Sequence, residues 1–377
     1  MSEHQVIAFR AIDAPVSSKN LEYMREQSSR AEITPWSFDN EYHYGDFHGN
    51  AVEMMRRGYD VHLHYANFGI RKLLIRLPHG LLNTASVAPY FVKDALEFLK
   101  DKKGPGGILA IEPCYEPDDL EELWDLDTIF TRLLSLRSEI LNGDLRPFYL
   151  AHLAVARTNE NDPKETKEAL VPAGLGQLTD AQRALAQLYS ISNSLLAAAA
   201  LDCPPHASRH DPDDKQATWL ESQPQKLKDM WLSQWLSDPH SAVRSTILAE
   251  FQKSLKAPTW PTVRRDRTIA ELLAAAENID QNATCKAAEN TARLRTKRLA
   301  GMAADPSSTL RETERLVKER SRAAYTQIST LLAELRELFA GTAQSDLAEE
   351  QAEKLKSKNP TLRILVSELR DQGFLTK

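Results

Sequence analysis

The sequence predicts an α+β domain at the amino end, followed by a mainly α-helical region that ends in an antiparallel coiled-coil hairpin. Three observations carry this. Apolar residues alternate with a period of two in several segments before residue 115, as strands with one buried face require. Beyond residue 116 they recur at steps of three and four, as amphipathic helices require. A seam inside 307–340, built on Val317, Ala324, Ile328, Leu331, Leu335 and Leu338, has the spacing of a coiled coil. A chain of 377 residues exceeds one ordinary domain, and the pattern divides it into 1–115, 116–258 and 259–377.

Taken in order, "HQVIAFRAI" (4–12) reads as a strand, and "SSKNLEYMREQSS" (17–29) as a helix behind a serine cap. In "TPWSFDNEYHY", Trp36, Phe38, Tyr42 and Tyr44 fall on one face, and Ser37, Asp39, Glu41 and His43 on the other. "GNAVEMMRRG" (49–58) reads as a short helix closed by Gly58. Alternation resumes in "YDVHLHYANFG", with Tyr59, Val61, Leu63 and Tyr65 opposite Asp60, His62 and His64. Asn67-Phe68-Gly69 suits a hairpin loop before a returning strand at 70–78. A helix is expected over 87–101 and a buried strand over 108–114.

From 116 to 143 the pattern predicts one long helix that includes Leu120, with an acidic start and a basic end (Arg132, Arg137) that suit the helix dipole. Further helices are expected at 146–157, 179–202, 216–236 and 239–256, separated by polar, proline-bearing links. The last third reads as helices at 268–279, 283–303, 307–340, 345–357 and 360–372. Two long helices joined by a tight link fold back most economically as a hairpin.

Composition narrows the function classes. With 42% hydrophobic and 27% charged residues, the chain has the make-up of a globular protein. No run of eighteen apolar residues predicts a membrane span, and the amino end lacks the pattern of a secretory signal. Cys114, Cys203 and Cys285 lie far apart with no Cys-x-x-Cys pair. They are expected to be small buried hydrophobes in a protein of the reducing cytoplasm. The net charge of −6 runs from −7 over 1–155 through −2 over 156–259 to +3 over 260–377. That basic excess is weak for a nucleic-acid binder. Such a role would rest on Arg264, Arg265, Arg293, Arg295, Lys297 and Arg298, yet interleaved glutamates make a mixed-charge helix surface the preferred reading.

The densest chemistry lies in "FDNEYHYGDFHGNAVEMMRRGYDVHLHY" (38–65), which holds Asp39, Glu41, His43, Asp46, His48, Asp60, His62 and His64. If 36–44 and 59–66 were parallel neighbours joined by the 49–58 helix, their acids and imidazoles would share a face. Such a face suits a divalent metal such as Zn²⁺ or Mn²⁺, in a metal-dependent hydrolase or nuclease. The same alternation arises where the polar face of a sheet is solvated or hydrogen-bonded, and that is the preferred reading. "GDFHGN" (45–50) is similar to the first metal-binding motif of calcineurin-type metallophosphoesterases. The later Gly-Asp-x-x-Asp and Gly-Asn-His-Asp/Glu motifs of that family are absent from the sequence. No Gly-x-Ser-x-Gly, Walker or Gly-x-Gly-x-x-Gly pattern occurs either.

The stretch "SSRAEITPWSFDNEYHYGDFHGN…YDVHLHYANFGIRKLLIRLP", with the later "WPTVRRDRTIAELL", resembles a family of bacterial proteins encoded beside SWIM-type zinc-finger proteins. The resemblance covers about a third of the chain and implies a protein partner, with no activity attached. The sequence therefore leads to a non-enzymatic bacterial assembly or adaptor protein without a cofactor. It is expected to act through a protein partner, of the SWIM type by resemblance, or through self-association of its C-terminal helices.

Overall fold

The structure is a computed structural model that describes residues 3–81, 83–115, 122–158, 163–205, 212–237, 243–254 and 260–375. The start of the expected 116–143 helix, with Leu120, lies outside the described residues, as do parts of the polar links at 159–162, 206–211, 238–242 and 255–259. The chain separates into two compact units, Met1–Asp280 and Gln281–Lys377.

The first unit is built on strands β1 (Gln5–Arg10), β2 (Glu32–Ile33), β3 (Ser37–Tyr42), β4 (Val61–Ala66), β5 (Arg71–Leu77), β6 (Leu96–Lys100) and β7 (Gly107–Ile111). They form one sheet in the order β2-β3-β1-β4-β5-β7-β6, and every neighbouring pair is antiparallel. Helix α1 (Ser18–Gln27) starts where Ser17 accepts the backbone N–H of Asn20. Helix α2 (Ala51–Arg57) starts on Asn50 and ends at Gly58, whose φ of +156° lies in the range that favours glycine.

Both faces of the sheet are covered. Ile7, Phe9, Phe38, Leu74 and Ile108 pack with Leu21 and Met24 of α1 and Met54 and Met55 of α2. On the other face Ala8, Val61, Leu63, Leu73, Ile75, Leu109 and Ile111 belong to a larger core. That core is filled by helices α4 (Leu126–Leu133), α5 (Leu136–Leu141), α6 (Arg146–Ala156), α7 (Asp180–Leu188) and α8 (Asn193–Ala200), which follow the short α3 (Thr84–Val87). Every residue of α6 is buried, which explains a sequence that is apolar almost all round. A two-stranded ladder, β8 (Val171–Pro172) with β9 (Thr262–Val263), stands apart from the sheet. Most of the sheet therefore has neither face open to water.

Other expectations also change. The 87–101 segment is not a helix. After Tyr90 the chain turns at Asp94, with φ +63°, and runs out as β6. The 116–143 pattern is broken between α4 and α5, and the 179–202 pattern between α7 and α8. The 216–236 pattern becomes α9 (Pro212–Ser222) and α10 (Gln225–Ser237), followed by α11 (Val243–Ser254). The separate helices expected at 268–279 and 283–303 are one helix, α12 (Ile269–Ala304). Cys114 and Cys285 are exposed rather than buried.

In the second unit the 307–340 stretch is two helices, α13 (Pro306–Val317) and α14 (Arg322–Phe339), parted at Arg320 with φ +49°. With α15 (Leu347–Lys358) and α16 (Arg363–Asp371) they enclose a core of their own. Among the described residues no helix is long and apolar enough to cross a membrane.

Candidate functional site

The acid and imidazole cluster of 39–64 is divided by β1. The parallel crossover expected between 36–44 and 59–66 does not form, because β1 lies between β3 and β4 and is antiparallel to both. Directly opposed residues in a ladder point to the same face. Phe9 stands opposite both Phe38 and His62, whereas Ala8 stands opposite both Asp39 and Leu63. Asp39 and Glu41 thus lie on the face of Leu63 and Tyr65, and His62 and His64 on the face of Phe38. The eight residues do not share one face.

On the first of these faces, beyond the last β1–β3 pair, the two strands bring His4 and His43 beside Glu41. His4 Nε2 donates to Glu41 Oε1 at 2.6 Å. His43 Nε2 lies 3.7 Å from the same oxygen. The two imidazoles stack with centroids 5.4 Å apart. One ligand atom from each residue lies within 4.8 Å of the others, which makes this the three-donor group found among the described residues. The backbone of His4 is anchored from both sides, its N–H by Asn67 Oδ1 and its carbonyl by Asn67 N, each at 3.0 Å. The group borders a cavity of about 1060 Å³ that also meets Asp39, Arg10, Glu32 and Asp127. Asp39 is held by Arg10 at 2.7 Å. The sequence reading missed His4, although continuing the Gln5–Tyr42 register by one residue pairs it with His43.

On the opposite face His62 is fully buried and stacked on Phe9. Its Nδ1 lies 3.1 Å from the carbonyl of Ala8, so Nδ1 carries the proton, and Nε2 has no hydrogen-bond partner among the described residues. Burial, then His64, then Lys72 lower the pKa of His62 well below the usual imidazole value. His64 donates from Nε2 to Gln5 Oε1 at 3.0 Å, and the Gln5 amide donates to Asp46 Oδ1 at 2.9 Å. Burial and Lys72 bring His64 down to about 4. Both imidazoles are neutral near pH 7, beside a cavity of about 480 Å³ that His48 also lines. Asp46, the acid of the GDFHGN motif, is thus engaged by Gln5, and His48 is exposed.

Asp60 serves the fold. Its Oδ2 accepts from Ile12 N at 2.6 Å and Asp13 N at 3.2 Å, and its Oδ1 lies 3.4 Å from Arg137. Burial raises its pKa above the ordinary carboxylate value, against the pull of Arg137. Two further ion pairs are equally structural: Arg146 with Asp144 at 2.6 Å, and Arg267 with Glu168 at 2.6 Å.

Of the candidate nucleic-acid residues, Arg265 donates to the carbonyls of Ala199 and Leu201 and closes the carboxyl end of α8. Arg295 pairs with Glu337 at 2.6 Å, and Arg298 pairs with Glu334. Arg264, Arg293 and Lys297 are exposed. The coiled-coil seam is occupied from within. Val317, Ala324, Ile328 and Leu335 are buried in the second unit's core, with Leu331 and Leu338 packed against it, alongside Leu355 of α15 and Leu365 and Leu369 of α16.

Apolar surface is left outside on α10 instead. Leu232, Trp235 and Leu236 are 57%, 52% and 72% exposed, and their i, i+3, i+4 spacing puts them on one side of the helix. One turn before Trp235, Trp231 is buried, and Trp219 of α9 lies tilted 6.1 Å from Trp231 and edge-on 5.4 Å from buried Phe251 of α11. The sequence displayed this spacing, but the same spacing marks every buried helix. No family model, curated protein or solved structure matches the chain.

Proposed function

We propose that the chain is a non-enzymatic assembly or adaptor protein that docks a protein partner through its helical region. The observation that carries this is the exposed Leu232–Trp235–Leu236 side of α10, anchored next to it by buried Trp231 against Trp219. A large aromatic flanked by leucines at helical spacing is the kind of anchor that fills a partner's apolar groove. The seam at 317–338 is spent on intramolecular packing, so the docking role passes from the C-terminal helices to α10. The family resemblance implies a SWIM-type zinc-finger protein as the partner.

The antiparallel hairpin remains part of this reading. The pairs Arg295–Glu337 and Arg298–Glu334 descend along one helix as they ascend the other. That supports α12 and α14 as its arms, with α13 placed between them in sequence.

Co-expression with a SWIM-type zinc-finger protein encoded beside the chain's own gene, followed by size exclusion with light scattering, tests the proposal. A complex should form with the wild-type chain and be lost in the Leu232→Ser, Trp235→Ser, Leu236→Ser variant, with the circular dichroism of the chain unchanged. A complex that survives the triple substitution, or none with the wild type, contradicts it. A dimer of the chain alone that the same substitutions dissolve would assign the surface to self-association instead.

A further inference from the structure

We propose that His4, Glu41 and His43 form a divalent transition-metal site, of the class that takes Zn²⁺, that reaches beyond the docking role. Two imidazoles and one carboxylate suit first-row divalent ions rather than Mg²⁺ or Ca²⁺, which prefer all-oxygen surroundings. The spacing fits as well. Metal–ligand bonds of about 2.0–2.2 Å hold neighbouring donors roughly 3–3.5 Å apart. Glu41 Oε1 and His43 Nε2 stand at 3.7 Å, and Glu41 Oε1 and His4 Nε2 at 2.6 Å. The shorter distance is a hydrogen bond, so a proton on His4 Nε2 sits where a cation would bridge the two groups. Binding exchanges that proton for the metal and separates the pair by less than about 1 Å.

The backbone holds the donors ready for this exchange. All three stand on adjacent antiparallel strand ends, and His4 is pinned by two hydrogen bonds to Asn67. Rotation of side chains alone completes the geometry. Glu41 and His43 have side chains 58% and 64% exposed, so an ion reaches them from solvent. Three protein ligands leave a fourth position open, and here it borders the large cavity lined by Asp39, Glu32 and Asp127, whose carboxylates favour a cation. Arg10 in the same cavity is compensated by Asp39.

The test uses the full chain without a polyhistidine tag, stripped with a chelator and titrated with Zn²⁺ by calorimetry and with Co²⁺ by visible absorption. One equivalent should bind, with tetrahedral Co²⁺ bands. Affinity should fall about a hundredfold in Glu41→Gln and in His43→Ala, both surface changes that leave circular dichroism unaltered. The His48→Ala and His64→Gln variants, on the opposite face, should bind like the wild type. No stoichiometric uptake by the wild type overturns the proposal. So does uptake that persists in a Glu41→Gln, His43→Ala double variant, or uptake that depends on His48 or His64.

Discussion

His62 lies flat on Phe9, with ring centroids 3.9 Å apart and planes 19° from parallel. The contact places an imidazole in an aromatic core with one nitrogen satisfied by Ala8 and the other without a partner among the described residues. Removing the ring leaves a cavity under α2, so His62→Ala should cost about 2–4 kcal/mol. His62→Phe keeps the stack and removes the unpartnered nitrogen, and should cost less than about 1.5 kcal/mol. Urea unfolding of the two variants checks the ordering. Equal losses would show that the ring's polar contact, not its packing, holds the site.

The depressed pKa values of His62, His64 and His152 make stability depend on pH. Each has burial as its largest cause, so the fold favours the neutral imidazole. In the unfolded chain these groups take up protons near the usual value of 6.5, while folded His64 waits until about 4. The unfolded state therefore binds more protons across that window, and stability falls as pH drops from about 6.5 to 4. Asp60 and Glu139, with raised values caused mainly by burial, act in the opposite sense. Urea midpoints between pH 7.5 and 5 should decline, and His64→Gln should flatten the decline. An unchanged slope in that variant contradicts the assignment.

Arg137 is buried and donates Nη2 to Asp13 at 2.5 Å, Nη1 to Asp13 at 3.1 Å, and Nε to the carbonyl of Arg76 at 2.8 Å. Replacing it by methionine strands two acids, Asp13 and Asp60, and should cost about 3–5 kcal/mol. Thermal unfolding at pH 7 measures this. The triple variant Arg137→Met, Asp13→Asn, Asp60→Asn should recover part of the loss, because no charge is then left unpaired.

Gly107 opens β7 against β6, and a Cβ there would sit 2.6 Å from Phe98 Cζ and 2.7 Å from the carbonyl oxygen of Leu99. The backbone neighbour cannot move without breaking the ladder. Gly107→Ala should therefore destabilise by about 1–3 kcal/mol, whereas Gly176→Ala, with no described residue within 4 Å, should be close to neutral. Paired denaturant curves decide the comparison.

Within each strand the alternation in the sequence was a sound guide. Asp39 and Glu41 do share a face, as do His62 and His64. What the sequence could not convey is how those faces align, because that depends on which strand stands between them. Inserting β1 antiparallel to both put His62 with Phe38 and Asp39 with Leu63. The helix breaks at Ser190 and Arg320 were equally hidden, since both take positive φ without a glycine or proline to announce it. Strand β6 was masked by Val87, Tyr90 and Phe91, whose three- and four-residue spacing imitates a helix that ends after Tyr90. The triad at His4 was within reach of register arithmetic, but only once β1 and β3 were known to pair.

Hydrogen–deuterium exchange of the chain, alone and mixed with the SWIM-type zinc-finger protein proposed as its partner, tests the docking account most directly. Slowed exchange concentrated over 225–237, centred on Trp235, is the predicted result. Protection that appears over 307–340 while 225–237 exchanges at its unbound rate would contradict it.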